Sequence, residues 1–350
     1  MRPAWRVDPE TLREVPDDPE GLAAWLDRQR PASHREWAEV GEVARVLNRL
    51  EEAEHAFRRA DDSPATRLRL ARVHQRQGRF AEADAVFAEL VAGGGPLLRL
   101  AHQHAGESRY DQGDWRAAEQ HFRTALDLCE DDAQRASNVL ALDAANACAM
   151  AAEVAVELHR LIPPVHRLSA RYLRGERPPH VPVLGDLASV LAHGPMPLGA
   201  VEDVHRYHPM LGAALADRDW LVVEDGQVTA TGRCRAFLEV VNEAHTRAAG
   251  ELWPSPPPIR VPAVDHPISA ARTGDTPQAR LFDRLRALRH HRADAHAAAW
   301  AEEGLTVREM PADDPVRRRI EAATDRAAAR PHRPLSADDR AELLTNLRRL

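Results

Sequence analysis

The segments "GRFAEADAVFAEL" (residues 78–90) and "GDWRAAEQHFRTAL" (residues 113–126) decide how the first half of this chain is read. They align as G-x-[FW]-x-x-A-x-x-x-F at an offset of 35 residues, with Gly78 over Gly113, Ala83 over Ala118 and Phe87 over Phe122. A fixed period of this length marks stacked helical hairpins, each of which buries its apolar face only against its neighbours. A third copy precedes them. In "REWAEVGEVARVLNRLEEAEHAF" (residues 35–57), Trp37, Val40 and Gly41 fit a first helix, and Ala53, Phe57 and Ala60 fit a second, at a shorter spacing of 30. Small residues at Gly41, Ala53, Ala83 and Ala118 are expected where paired helices approach closely, with the phenylalanines filling the gaps between pairs.

These residues and their spacing resemble tetratricopeptide (TPR) repeats over residues 34–132. The resemblance implies that the first helix of each pair lines a concave groove that captures a protein or peptide. It assigns to that groove Arg35, Glu42 and Arg45, then Arg72, Gln75 and Arg76, then Gln103, Glu107, Tyr110 and Asp111. Guanidinium forks bind carboxylates at two points, so the implied partner is a protein or acidic peptide. The lysine and asparagine pattern of the chaperone-binding clamp does not occur at these positions, so a chaperone is not implied. The run "AQRASNVLALDAANACAMAAEVAVELHRLI" (133–162) is expected to be a capping helix that Pro163 and Pro164 stop, and "PEGLAAWLDRQR" (19–30) a short helix covering the other end.

Composition agrees with a mainly α chain: 350 residues, 44 % hydrophobic but only 5 % aromatic, rich in Ala and Leu and long enough for two or three domains. All 47 basic residues are arginine. Residues 1–160 hold 21 Arg against 29 acids and residues 161–350 hold 26 against 25, so neither half has the basic balance of a protein that binds nucleic acid through bulk charge. The N-terminus "MRPAWRVDPE" lacks a signal-peptide core and no apolar stretch approaches bilayer length, which leads us to expect a cytoplasmic protein with no membrane contact. Cys129, Cys148 and Cys234 are too few and too scattered for a disulfide framework or a zinc knuckle.

The expected organisation is an N-terminal segment (1–33), TPR-like repeats with a capping helix (34–162), a second domain (180–253), a Pro-rich linker (254–279) and a C-terminal helical segment (280–350). In the second domain three short helices lead into strands "WLVV" and "QVTAT", joined at Asp225-Gly226, a strong hairpin signal. Gly194-Pro195, Trp220-Leu221, Asp225-Gly226, Thr229 and Gly232-Arg233 together resemble the winged helix of MarR-type regulators. That resemblance makes Arg206, Arg218, Arg233 and Arg235 the candidate DNA contacts. Asp217, Asp219, Glu224 and Asp225 stand where phosphate would have to approach, so DNA binding is the lesser reading.

The segment "LRHHRADAHAAAWAEEGL" (288–305) lies mostly in a helix read over residues 281–300, with Leu281, Leu285, Leu288, Ala295 and Ala299 on one stripe, Arg292 at its centre and His296 on its shoulder. Glu321 and Asp325 in "RRRIEAATDRAA" have the spacing to pair with Arg292, because a buried guanidinium needs a carboxylate. The histidines do not converge, so no metal is expected. A small-molecule pocket at His291, Arg292, His296, Glu321 and Asp325 is the alternative use. Leu288, His291, Arg292, Asp294, His296, Glu321, Thr324 and Asp325 also resemble uncharacterised actinobacterial helix-turn-helix proteins related to the SalK-like group, although there the comparable helix precedes the winged segment. "HRYH" (205–208) has i, i+3 histidines but falls in an expected turn before Pro209.

No G-x-S-x-G, H-E-x-x-H, P-loop or G-x-G-x-x-G motif occurs, so no catalytic residue and no cofactor is assigned. The expected fold is therefore mainly α: a TPR-like helical solenoid followed by a winged-helix-like module and a C-terminal helical segment. The expected function is that of an adaptor or regulator binding a protein partner, with a homo-oligomer left open. The competing class is a ligand-binding or catalytic protein of specialised metabolism built around Arg292 and His296.

Overall fold

The computed structural model describes residues 5–173, 181–204, 215–216, 219–270, 272–305 and 314–350. The chain is mainly helical and divides into two compact units, Met1–Ala149 and Met150–Leu350.

The first unit opens with a short antiparallel hairpin, β1 (Trp5–Val7) and β2 (Glu14–Pro16), which sequence periodicity had not indicated, followed by α1 (Pro19–Asp27). Three helical hairpins follow: α2 (His34–Val46) with α3 (Leu50–Arg59), α4 (Pro64–Arg76) with α5 (Phe80–Gly93), and α6 (Leu98–Asp111) with α7 (Trp115–Asp127). Ser33 starts α2 with a capping box to Glu36, and Ser63 caps α4 just before Pro64, so the first helices are set by local chemistry.

The same turn recurs between the two helices of each pair. Asn48, Gly78 and Gly113 hold φ of 60°, 76° and 78°. The next residue then donates its N–H back into the first helix: Arg49 to Ala44 O at 2.8 Å, Arg79 to His74 O at 2.9 Å, and Asp114 to Arg109 O at 2.9 Å. Such a turn satisfies the last carbonyls of a helix and needs a left-handed residue, which glycine adopts freely and asparagine tolerates.

Each turn is followed by the same packing. A Cβ added at Gly41 would lie 2.8 Å from the Phe57 ring, and one at Gly106 would lie 2.6 Å from the Phe122 ring. The corresponding position in the middle pair is Ala71, fully buried in one core with Phe87. The shorter first period comes from α3, which has 10 residues where α5 has 14 and α7 has 13.

Helix α8 (Asp132–Ser169) corrects two expectations. It runs through Pro163 and Pro164 instead of stopping before them. Proline removes two intrahelical donors, but the residues four positions back, His159 and Arg160, are exposed, so water can take up their carbonyls, while Ile162 and Val165 stay fully buried and hold the helix. It also contains an 18-residue window of mean hydropathy 1.6, long and apolar enough to cross a bilayer on composition alone, although 44 % of that window is buried within the fold.

The second unit holds α9 (Val181–Leu191), β3 (Met196–Pro197), α10 (Leu198–Val204), β4 (Leu221–Glu224), β5 (Gln227–Ala230), α11 (Gly232–Leu252), α12 (Pro277–Glu302), α13 (Pro315–Ala328) and α14 (Ala337–Arg348). The strands form an antiparallel sheet in the order β3-β5-β4. Asp225 and Gly226 both take positive φ, 49° and 72°, as the two central residues of a twisted hairpin turn require. One core gathers Leu187, Met196, Trp220, Val228 and Phe237 around this sheet; another packs Val154, Leu158 and Ile162 of α8 with Phe282, Leu285, Leu343 and Leu347.

Gly106→Ala should lower stability by about 1–3 kcal/mol, because the methyl group meets a ring in a packed core. Asn48→Gly should be neutral or slightly stabilising, and Gly113→Ala should cost about 1 kcal/mol or more. Chemical denaturation of the three variants checks the set.

Candidate functional site

The first helices of the three pairs bring their polar residues to one cluster. Arg45, only 1 % exposed, places Nη1 2.9 Å from Glu14 Oε2 and Nη2 3.1 Å from Glu14 Oε1, and also reaches Glu42 Oε1 at 2.6 Å. Arg72 Nη2 donates to the same Glu14 Oε1 at 2.5 Å. One carboxylate is thus held by guanidiniums from α2 and α4. Burial alone would raise the Glu14 pKa, but Arg72 and Arg45 outweigh it and hold the group far below the usual carboxylate range; Glu42 is lowered for the same reason.

The α6 end of the cluster is complementary. Asp111 Oδ2 accepts from Arg13 Nη2 and from Gln75 Nε2, each at 2.8 Å. Tyr110, fully buried, donates its hydroxyl to the Glu10 carbonyl at 2.8 Å and packs edge-on against Trp115. Glu107 accepts from Gln103 at 3.3 Å and lies 2.9 Å from His104 Nδ1; burial pushes the His104 pKa down. Arg76 donates to the Arg45 carbonyl at 3.0 Å and to Asn48 Oδ1 at 3.3 Å, and burial together with the Arg13 and Arg45 charges lowers its pKa to about 10. Arg35 stands apart, exposed and paired with Glu39.

Residues 101–136 match the tetratricopeptide repeat family. The match covers most of α6, all of α7 and the start of α8, and it points to a role in protein–protein interaction. No curated protein and no solved structure matches the chain.

This cluster differs from the sequence expectation in one respect. The acidic group between its arginines is the chain's own Glu14, carried by the hairpin segment before α1. That segment turns through Asp8, whose carboxylate accepts from the Glu10 N–H and the Thr11 hydroxyl, each at 2.9 Å, and it inserts Leu12 at φ 56°. Thr11, Leu12, Arg13 and Glu14 close over Arg45, Arg72, Gln75, Arg76 and Glu107, leaving a cavity of about 10 Å³, about one water in size. No helical repeat announces this segment; the short apolar-polar alternation of "WRV" before an Asp-Pro turn was the available signal.

In the second unit, Arg292 Nη1 lies 2.7 Å from Asp325 Oδ1 and Arg292 Nη2 lies 3.9 Å from Glu321, while His296 Nε2 is 3.7 Å from Glu321. The structure therefore joins Arg292, His296, Glu321 and Asp325 across α12 and α13. Burial lowers the pKa of both His291 and His296. Two features escaped sequence reading. Arg286, 3 % exposed, bridges Asp186 and Asp283 at 3.3 Å each, with His290 on Asp186 at 3.1 Å. A cavity of about 650 Å³ is lined in part by Arg272, Arg280, Asp283 and Arg284.

Of the candidate DNA contacts, Arg233 stacks over the Trp220 ring at 4.3 Å and Arg235 donates to the Ala230 carbonyl at 2.5 Å. Arg206, Arg218 and the "HRYH" histidines lie outside the described residues. Among the described residues, no group of three His, Cys, Asp or Glu side chains is placed to hold a metal ion.

Because the folded Glu14 pKa is depressed below its ordinary 4.5, its contribution to stability is complete above about pH 4.5 and is lost as the pH falls below it. Glu14→Gln should lower stability at pH 7 by about 3–5 kcal/mol, since a buried arginine loses half of its counter-charge. The wild-type advantage over the variant should shrink on acidification. Urea melts of both chains at pH 7 and pH 3.5 measure it.

Proposed function

We propose that this protein is an interaction adaptor that captures a protein segment in its tetratricopeptide groove. The observation that carries this reading is the convergence of Arg45, Arg72, Gln75 and Asp111, from three successive first helices, on one arginine–glutamate pair. Such a set of forks and acceptors recognises an acidic side chain with directional, two-point geometry.

The second unit is proposed to act as a winged-helix-like module that relays this binding within a cytoplasmic regulatory assembly. The β3-β5-β4 sheet and the helix after it support that architecture. The acidic tip formed by Glu224 and Asp225 favours a protein over DNA as its partner.

A second reading has one observation in its favour. The 650 Å³ cavity with its arginines suits an anionic small molecule, which would make the second unit a ligand sensor or enzyme.

Capture from the producing cells tests the first reading. The full chain should retain a partner that Arg72→Gln and Asp111→Asn variants lose at least tenfold, with both variants melting cooperatively. A partner held equally by all three chains would move the interaction away from the groove. An anionic metabolite seen by native mass spectrometry and lost on Arg284→Ala would favour the sensor.

A further inference from the structure

We propose that the segment from Asp8 to Pro16 is a built-in, displaceable occupant of the groove, and that the external partner is a protein segment with the same chemistry: an arginine immediately followed by a glutamate. This rests on the groove reading above and specifies what the groove takes.

The segment is placed as a ligand would be. Its contacts fall on three successive first helices, with Glu14 on Arg45 and Arg72, Arg13 on Asp111, and the Glu10 carbonyl under the Tyr110 hydroxyl. The repeat cores that Phe57 and Phe87 close with their alanine neighbours contain no residue of the segment. Among residues 5–16, Leu12 is the one buried side chain, so polar contacts dominate how the segment is held. A competitor that brings its own carboxylate and guanidinium replaces these contacts one for one, leaving no buried arginine unpaired.

The segment can also leave without unwinding a helix. It pairs over three residues in β1 and β2, and Asp17 and Asp18 beyond it are exposed. Linked to the groove by so short a tether, it competes at high local concentration. A free partner therefore meets a closed groove and binds only when its affinity or abundance exceeds that of the cis segment. The attraction is between charges, so exchange should quicken as salt rises.

The test uses the full chain with a protease site inserted between Asp17 and Asp18. Cleavage should leave the helical signal and melting cooperativity intact. A fluorescent peptide of residues 5–17 should then exchange into the groove, bind the uncut chain at least tenfold more weakly, and lose at least tenfold in affinity when it carries Glu14→Gln or Arg13→Gln. Loss of cooperative folding on cutting would make the segment an integral part of the domain and overturn the proposal. So would equal binding of the wild-type and Glu14→Gln peptides, or failure of the peptide to enter the cut chain. Failure of the adaptor reading looks different: the peptide exchanges as expected, yet no captured protein depends on Arg72. Amide exchange on the uncut chain gives a second measurement, in which residues 8–16 should open at least a hundredfold faster than α4; equal protection would overturn the proposal.

Discussion

Arg45 sits at the centre of the first unit, with almost no solvent contact and a guanidinium that cannot lose its proton. A charge in that position must be neutralised where it stands. Glu42 from the same helix supplies one carboxylate and Glu14 from the N-terminal segment supplies the other, which Arg72 also shares. The need to compensate Arg45 thus ties α2 to α4 and draws a strand-forming segment across both. The rest of the cluster follows: once Glu14 is fixed, Arg13 beside it reaches Asp111, and the turn before it brings the Glu10 carbonyl to Tyr110.

The helical scaffold under this cluster was readable because its causes are local and periodic. Gly78 and Gly113 align since each turn needs a residue that tolerates positive φ, and the phenylalanines align since each fills the space opened by a small residue. Asn48 performs the same turn but was not matched, because asparagine reaches the left-handed region through its side chain and carries no glycine signature. Gly106 went unnoticed for another reason: it lies on a first helix, where a lone glycine resembles a weak helix position until the facing ring is seen.

The partners of the charged groups were less legible, and the reason is sequence separation. Arg45 meets Glu14 across 31 residues, Arg72 meets it across 58, and Arg286 reaches Asp186 across 100. A pairing of that range leaves no period in the sequence. It is set only when folding brings two helices or a terminal segment together. Arg292 with Glu321 and Asp325 is the exception, since two carboxylates four residues apart on one helix announce a face on which a cation can sit. The candidate groove positions came from the repeat register, which fixes where a side chain stands but not what stands opposite it.

That distinction bears on how such a groove works. A row of arginines read from the sequence suggests an open, positively charged surface, yet Arg45 and Arg72 are already paired with carboxylates inside the chain. Under the proposal above, long-range attraction, which would speed encounter with any acidic protein, would be replaced by a requirement for short-range exchange. Under the same proposal, selectivity would come from matching the full pattern of the resident segment, carboxylate, guanidinium and backbone carbonyl, and not from net charge.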